Sequence, residues 1–170
     1  AFPVFENENH RLIISGIGRM NAAAATGYLL SELGQPTHAI LNLGIAGHGE
    51  LPTGTPFLAN RVLSSEEKTV HYPPPVVDHP ITQSALQTSK APEKSYPQPI
   101  GYDMEAHAIC SVAYKSVTRE LVQVIKFISD NPSNPVDSFE PRIVTGWITK
   151  QLHLIYEIAE QLDKLAKSVS

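Results

Sequence analysis

The run LVQVIKFIS at residues 121–129 constrains the chain more than any other feature. It is nearly continuous apolar, as a central strand covered on both faces must be, and Asp130-Asn131-Pro132 stops it. Such a strand needs a layer above and a layer below, which predicts an α/β fold. An apolar run at Leu12-Ile13-Ile14 predicts a strand over 11–15, broken by Gly16-Ile17-Gly18. A helix follows from Asn21, whose side chain suits an N-cap. The alanines at 22–25 favour the helix, Leu29, Leu30 and Leu33 supply an inward stripe, and Gly34 with Pro36 ends it. Residues 38–43 then read as a second buried strand. Strand, helix and strand make a βαβ unit with a right-handed crossover.

A glycine-rich loop is expected over 44–55 (GIAGHGELPTGT), then a strand over 56–64 and a short one over 69–72. The proline-rich stretch 73–99 reads as a surface excursion with a weak strand near 85–88. Asp103 is expected to cap a helix running to about Tyr114. A last helix over 144–167 would turn Val144, Ile148, Leu152, Ile155, Ala159 and Leu162 toward the sheet. No internal repeat occurs, and residues 1–170 form one domain.

Composition narrows the partners. With 42% apolar and 18% charged residues the chain suits a packed globular protein. A net charge of -4 and a pI near 6.0 leave no basic stripe for nucleic acid. A single cysteine, Cys110, forms no internal disulfide and points to a reducing, cytoplasmic setting. No apolar run reaches the roughly 18 residues of a membrane span, and no signal peptide is visible. The chain opens on Ala1 rather than Met. Either the initiator was removed or the natural protein extends upstream.

Several familiar sites drop out. Gly16-Ile17-Gly18 could begin a dinucleotide fingerprint, but Asn21 stands at the third glycine. The next strand also lacks a ribose-binding acid. No Walker A loop and no G-x-S-x-G elbow is present, and the scattered histidines do not form a zinc pair. No metal or organic cofactor is expected. Glu105 is more informative, because it heads the helix face that continues through Ile109 and Val112. It is either a wet first-turn carboxylate favouring the helix dipole or a pocket carboxylate that binds hydroxyl groups. Asp130 closes the central strand, where ligands bind in open α/β sheets. Flanked by Ser129 and Asn131, it is either a partly desolvated general acid or the cap of a turn. Gly44, Ile45 and Ala46, at the end of the second strand, offer backbone that a ligand can approach closely. All three elements fall at strand ends.

These residues carry a resemblance. Residues 15–23 (SGIGRMNAA) resemble the S-G-I-G-[KR]-x-x-A-A segment of the methylthioadenosine and S-adenosylhomocysteine nucleosidases, relatives of the purine and uridine phosphorylases. The stretch 42–47 is similar to their N-x-G-x-A-G loop. Asp103-Met104-Glu105-Ala106 resembles their (D/E)-M-E-(A/G) motif, and Ile128-Ser129-Asp130 their I-S-D motif. The motifs keep the family's order between about residues 11 and 165.

The resemblance implies a single-domain three-layer α/β/α sandwich with a mixed central sheet, in which the family's first strand has no counterpart. It implies a purine-nucleoside site: Glu105 on the ribose hydroxyls, Met104 against the sugar and Asp130 protonating the base at N7. Gly44, Ile45, Ala46 and Ser129 would lie near the substrate. It also implies a homo-oligomer, commonly a homodimer, in which a neighbour helps to close the pocket. The family's glutamate that activates water lies before the matched region; Glu6 and Glu8 stand in a polar, turn-like stretch. Ile45 replaces a small hydroxyl residue, which argues against a phosphate cradle, and the base-binding segment is shortened, with 87–92 similar only loosely. The expected activity is hydrolytic cleavage of a purine nucleoside. The alternatives are a phosphate-dependent phosphorylase and a non-catalytic nucleoside-binding protein.

Overall fold

The computed structural model describes residues 2–33 and 38–169. Its centre is a five-stranded sheet closed on itself in the order β3-β6-β5-β4-β7. These strands are β3 (Ile40–His48), β4 (Pro56–Ser64), β5 (Thr82–Thr88), β6 (Gly101–Asp103) and β7 (Val122–Asp130). The sheet is mixed: β7 runs parallel to β3 and antiparallel to β4, and β5 is parallel to both of its neighbours. Every residue of β7 is buried, as its apolar run requires. Helices lie on both sides, so the three-layer α/β arrangement implied by the motifs is the one found. Ala106, Cys110 and Ala113 of α2 (Ala106–Ala113) join the core that contains Phe57, Leu86 and Ile128. On the other side, Leu154, Ile158 and Leu162 of α4 (Leu152–Ser168) pack on Leu58 and Ile125.

Several sequence expectations are corrected. The strand over 11–15 is only Arg11–Ile13 (β2), and it lies outside the main sheet. It pairs antiparallel with β1 (Val4–Glu6), so it forms no βαβ unit with β3. The reason is local. Asn7 Oδ1 accepts from the amides of Asn9 and His10 at 3.0 and 2.8 Å, and this side-chain-closed turn joins the two short strands. Helix α1 (Arg19–Leu33) starts before Asn21, whose amide donates to Ile17 O at 2.9 Å instead of capping. Its fully buried face is Ala22, Ala25 and Thr26, while Leu29, Leu30 and Leu33 are half-buried. Gly34 and Pro36 lie outside the described residues. Gly44 is strand rather than loop, because parallel pairing with β7 carries β3 on to His48. The segment 69–72 is reduced to a bridge between His71 and Val62. The last helix is two, α3 (Pro141–Lys150) and α4, broken at Gln151. That break turns Leu154, Ile158, Leu162 and Ala166 inward and leaves Leu152 exposed.

Where β3 ends, His48 is buried, and its Nδ1 accepts from the amides of Glu50 and Leu51, both at 3.0 Å. Its proton therefore sits on Nε2, which donates to Ser84 Oγ at 3.0 Å. Burial lowers its pKa below the usual 6.5, with Glu50 opposing, so the ring is a neutral peg that folds the β3–β4 turn.

Inside the sheet, Lys126 Nζ lies 3.0 Å from Asp103 Oδ2, with side chains 2% and 0% exposed. Asp103 also accepts from Thr88 Oγ1 at 2.6 Å and from the Ala106 amide at 2.8 Å, so it does hold the start of α2. In the Lys126→Met variant this carboxylate stays buried without its cation. Losing one member of a buried pair costs about 3–5 kcal/mol. The expected result is a lower urea midpoint with little change in slope. A wild-type midpoint would show that the pair contributes nothing to stability.

Candidate active site

One cavity of about 260 Å³ opens where β3, β7 and the β6–α2 junction meet. That is just under the roughly 300 Å³ at which small-molecule sites begin. Its floor is built by an irregularity in the sheet. The parallel β3–β7 register runs evenly to Ala46 opposite Ile128, then shifts so that Gly47 faces Asp130. Ser129 is the extra residue of this bulge, a device that re-aims side chains beside sites. Ser129 and Asp130 both border the cavity.

Asp130 is 5% exposed. Its Oδ2 accepts from the Tyr96 hydroxyl at 2.7 Å, and its Oδ1 accepts from Ser129 Oγ. A Cβ on Gly47 would stand 2.5 Å from Oδ2, so only glycine lets this carboxylate lie against β3. Glu105 approaches from the β6–α2 junction, just before the first turn of α2. Its Oε1 accepts from the Gly18 amide at 2.6 Å and its Oε2 from the Met104 amide at 3.3 Å. Gly18 has φ of +95°, a left-handed conformation that glycine adopts without penalty, and the turn it makes carries Ile17 to the rim.

The structure thus brings six of the sequence-derived residues to one cavity: Asp130, Glu105, Met104, Ile45, Ala46 and Ser129. Gly44 is not among its lining residues. A Cβ there would meet Lys126 Nζ at 3.1 Å, so Gly44 makes room for the buried ion pair. Sequence reasoning missed Tyr96, Glu93, Tyr102 and Phe139. Pro92 and Glu93 line the cavity from the stretch that read as a surface excursion, of which only 87–92 was loosely similar to the family's base-binding segment. Phe139 follows a short 3-10 turn, Val136–Ser138, and borders a second recess of about 110 Å³ with Trp147 and Ile143.

The lining is acidic: among the described residues Glu93, Asp103, Glu105 and Asp130 border the cavity and no lysine or arginine does, Asp103 being paired with Lys126 behind it. Hydrogen-bonding to Ser95 lowers the Glu93 pKa, so that group is an acceptor. Among the described residues no three His, Cys, Asp or Glu side chains gather as metal ligands would. Such a cavity suits a neutral ligand rich in hydroxyl and amine donors. It does not suit an anion.

The sequence matches no protein-family model, and no curated protein resembles it significantly. The fold does have solved counterparts. A 5′-methylthioadenosine/S-adenosylhomocysteine nucleosidase from Colwellia psychrerythraea, in complex with adenine, superposes with a TM-score of 0.66 at 16% identity, covering 95% of this chain and 86% of that one. The enzyme from Neisseria meningitidis, in complex with methylthio-immucillin-A, gives 0.65 at 16% identity, covering 98% and 90%. A putative methylthioadenosine nucleosidase from Weissella paramesenteroides gives 0.61 at 17%, covering 94% and 80%. The chain therefore has the fold of these nucleosidases, as its motifs implied.

The Gly47→Ala variant tests the contact on which the site is built. Its methyl group collides with Asp130 Oδ2 and comes within 3.1 Å of the Tyr96 ring. A crystal structure is expected to show the Asp130 carboxylate displaced while β3 and β7 stay paired. An unmoved carboxylate would show that the glycine is not what seats it.

Proposed function

We propose that this chain hydrolyses the N-glycosidic bond of a purine nucleoside of the methylthioadenosine or S-adenosylhomocysteine type. The observation that carries the reading is the presence of two carboxylates, Asp130 and Glu105, at one cavity from two different strand ends. Breaking the bond between C1′ and N9 leaves positive charge on the sugar and an electron pair on the base. A neutral leaving base requires a proton, which Asp130 supplies at N7. The sugar is held by Glu105, which accepts from its 2′ and 3′ hydroxyls, with Met104 against its face. Bonds to a carboxylate strengthen as the ring becomes cationic. Adenine is the natural first base to try, since a nucleosidase of the same fold binds it.

Water rather than phosphate is the nucleophile in this reading. A phosphate would enter beside Glu93 and Glu105 with no lysine or arginine in the lining, and Ile45 puts an apolar side chain in the glycine segment. The assay is adenine release from methylthioadenosine, with and without phosphate. The expected products are adenine and the free thiosugar, at a rate indifferent to phosphate. Asp130→Asn is expected to lose about 10²–10⁴-fold in rate. Glu105→Gln is expected to weaken nucleoside binding roughly tenfold or more while leaving free adenine unchanged. Near-wild-type turnover in Asp130→Asn refutes the assignment. Nucleoside binding without turnover in the wild type makes this a binding protein.

We also propose that the protein is a homodimer. Phe5, Leu12 and Ile14 of the hairpin are exposed at 59%, 53% and 47%, and Met20 and Tyr28 of α1 at 87% and 47%. Phe2 packs against Tyr28 at 6.4 Å between ring centroids, which places the hairpin arm against this helix. Apolar surface of that kind marks an interface. Light scattering at micromolar concentration is expected to give about twice 18.6 kDa, with Phe5→Glu shifting it toward the monomer. A wild-type monomer would refute the assembly.

A further inference from the structure

Tyr96 stands in the proline-rich stretch, yet it is 8% exposed and has φ of +46°. A left-handed backbone is unfavourable for a bulky residue, so the surrounding contacts must impose it. Those contacts lead to the site. The Tyr96 hydroxyl accepts from the Val136 amide at 3.2 Å, which directs its own proton to Asp130 Oδ2 at 2.7 Å. The ring meets Tyr102 edge-on at 6.4 Å, and Tyr102 is fixed in turn by the Gln98 backbone. Gly47 closes the same carboxylate oxygen from the sheet side.

Resting on the nucleosidase reading, we infer that Tyr96 is a positioning residue for Asp130. It pins Oδ2 toward Gly47, so that Oδ1, which accepts from the rotatable Ser129 hydroxyl, is the oxygen presented to the leaving base. In the step itself a proton passes from Asp130 Oδ1 to N7 while the C1′–N9 pair moves onto the base; a lone pair of water forms the new C1′–O bond, and the proton that this water then sheds passes to solvent, from which Asp130 is reprotonated. Tyr96 gives up no proton. Burial first, and then the Asp130 carboxylate, raise its pKa well above the ordinary 10.0. Its donated bond is stronger to the carboxylate left after transfer than to the acid before it, so it assists the transfer as well as aiming it.

A double-mutant cycle of Tyr96→Phe and Asp130→Asn tests this, because a residue acting through another is non-additive with it. The phenylalanine retains the ring and its packing. Alone, Tyr96→Phe is expected to lower kcat with methylthioadenosine about tenfold or more, with KM changed much less. In the Asp130→Asn background the same change is expected to cost almost nothing further. Adenine affinity by calorimetry on the same four proteins supplies a readout that needs no turnover, and the same coupling is expected there. Equal losses from Tyr96→Phe in both backgrounds, or a loss confined to KM, would overturn the positioning role. Coupled adenine binding without turnover in the wild type would support the Tyr96–Asp130 link while overturning the nucleosidase reading. A wild type that binds no adenine would overturn both.

Discussion

The buried pair of Lys126 and Asp103 is the interaction on which the rest of the structure turns. Two opposite charges lie 3.0 Å apart inside a closed sheet, almost without exposure. Taking each out of water costs several kcal/mol, so the arrangement persists only because its other bonds are also satisfied. Thr88 donates to Asp103 from β5 and the Ala106 amide donates from the first turn of α2. Gly44 leaves space on β3 for the lysine chain. One ion pair thus joins β7, β6, β5 and α2 at a single depth. Met104 and Glu105 follow Asp103 directly, so their placement at the cavity is inherited from it.

What could be read from sequence follows from how local each determinant is. Strand β7 and strand β4 were legible because their burial is written in consecutive residues. Asp130, Glu105 and Met104 were legible because they stand in short motifs at element ends. The hairpin was not. Three apolar residues at 12–14 look like a core strand, and only the Asn7 turn, a weaker signal, gives them a nearby partner. Nor could sequence show that the sheet closes, because closure depends on β6, three residues long, pairing with both β3 and β5. The ion pair was hidden for a related reason. Lys126 interrupts an apolar run, and its partner lies on a different strand.

Tyr96 shows the same limit more sharply. Its stretch has the composition of a surface excursion: prolines, serines and charges. The chain nevertheless returns through it to Asp130, held by backbone and hydroxyl bonds that no pattern of residue types foretells. The bulge at Ser129 is equally silent in sequence, since a strand buried on both faces shows no alternation that one unpaired residue could interrupt. Tyr96 has a left-handed backbone and Ser129 interrupts a strand register, and irregular positions of this kind are where sites concentrate.

Glu105 connects the site to the glycine turn that precedes α1. One oxygen holds the Gly18 amide at 2.6 Å, and the other has only the longer bond from Met104 at 3.3 Å. The second oxygen is therefore the one that a donor on a ligand can engage at least cost, which in the proposed reaction is a sugar hydroxyl. The first fixes the turn that carries Ile17 to the cavity and starts α1. A backbone N–H donated to a carboxylate oxygen makes a stronger hydrogen bond than one donated to a neutral acceptor, so this contact holds the turn firmly. In the proposed reaction the carboxylate that holds the sugar is thus also the one that anchors the glycine turn. That dual use explains why a turn far from Asp130 in sequence belongs to the same constellation.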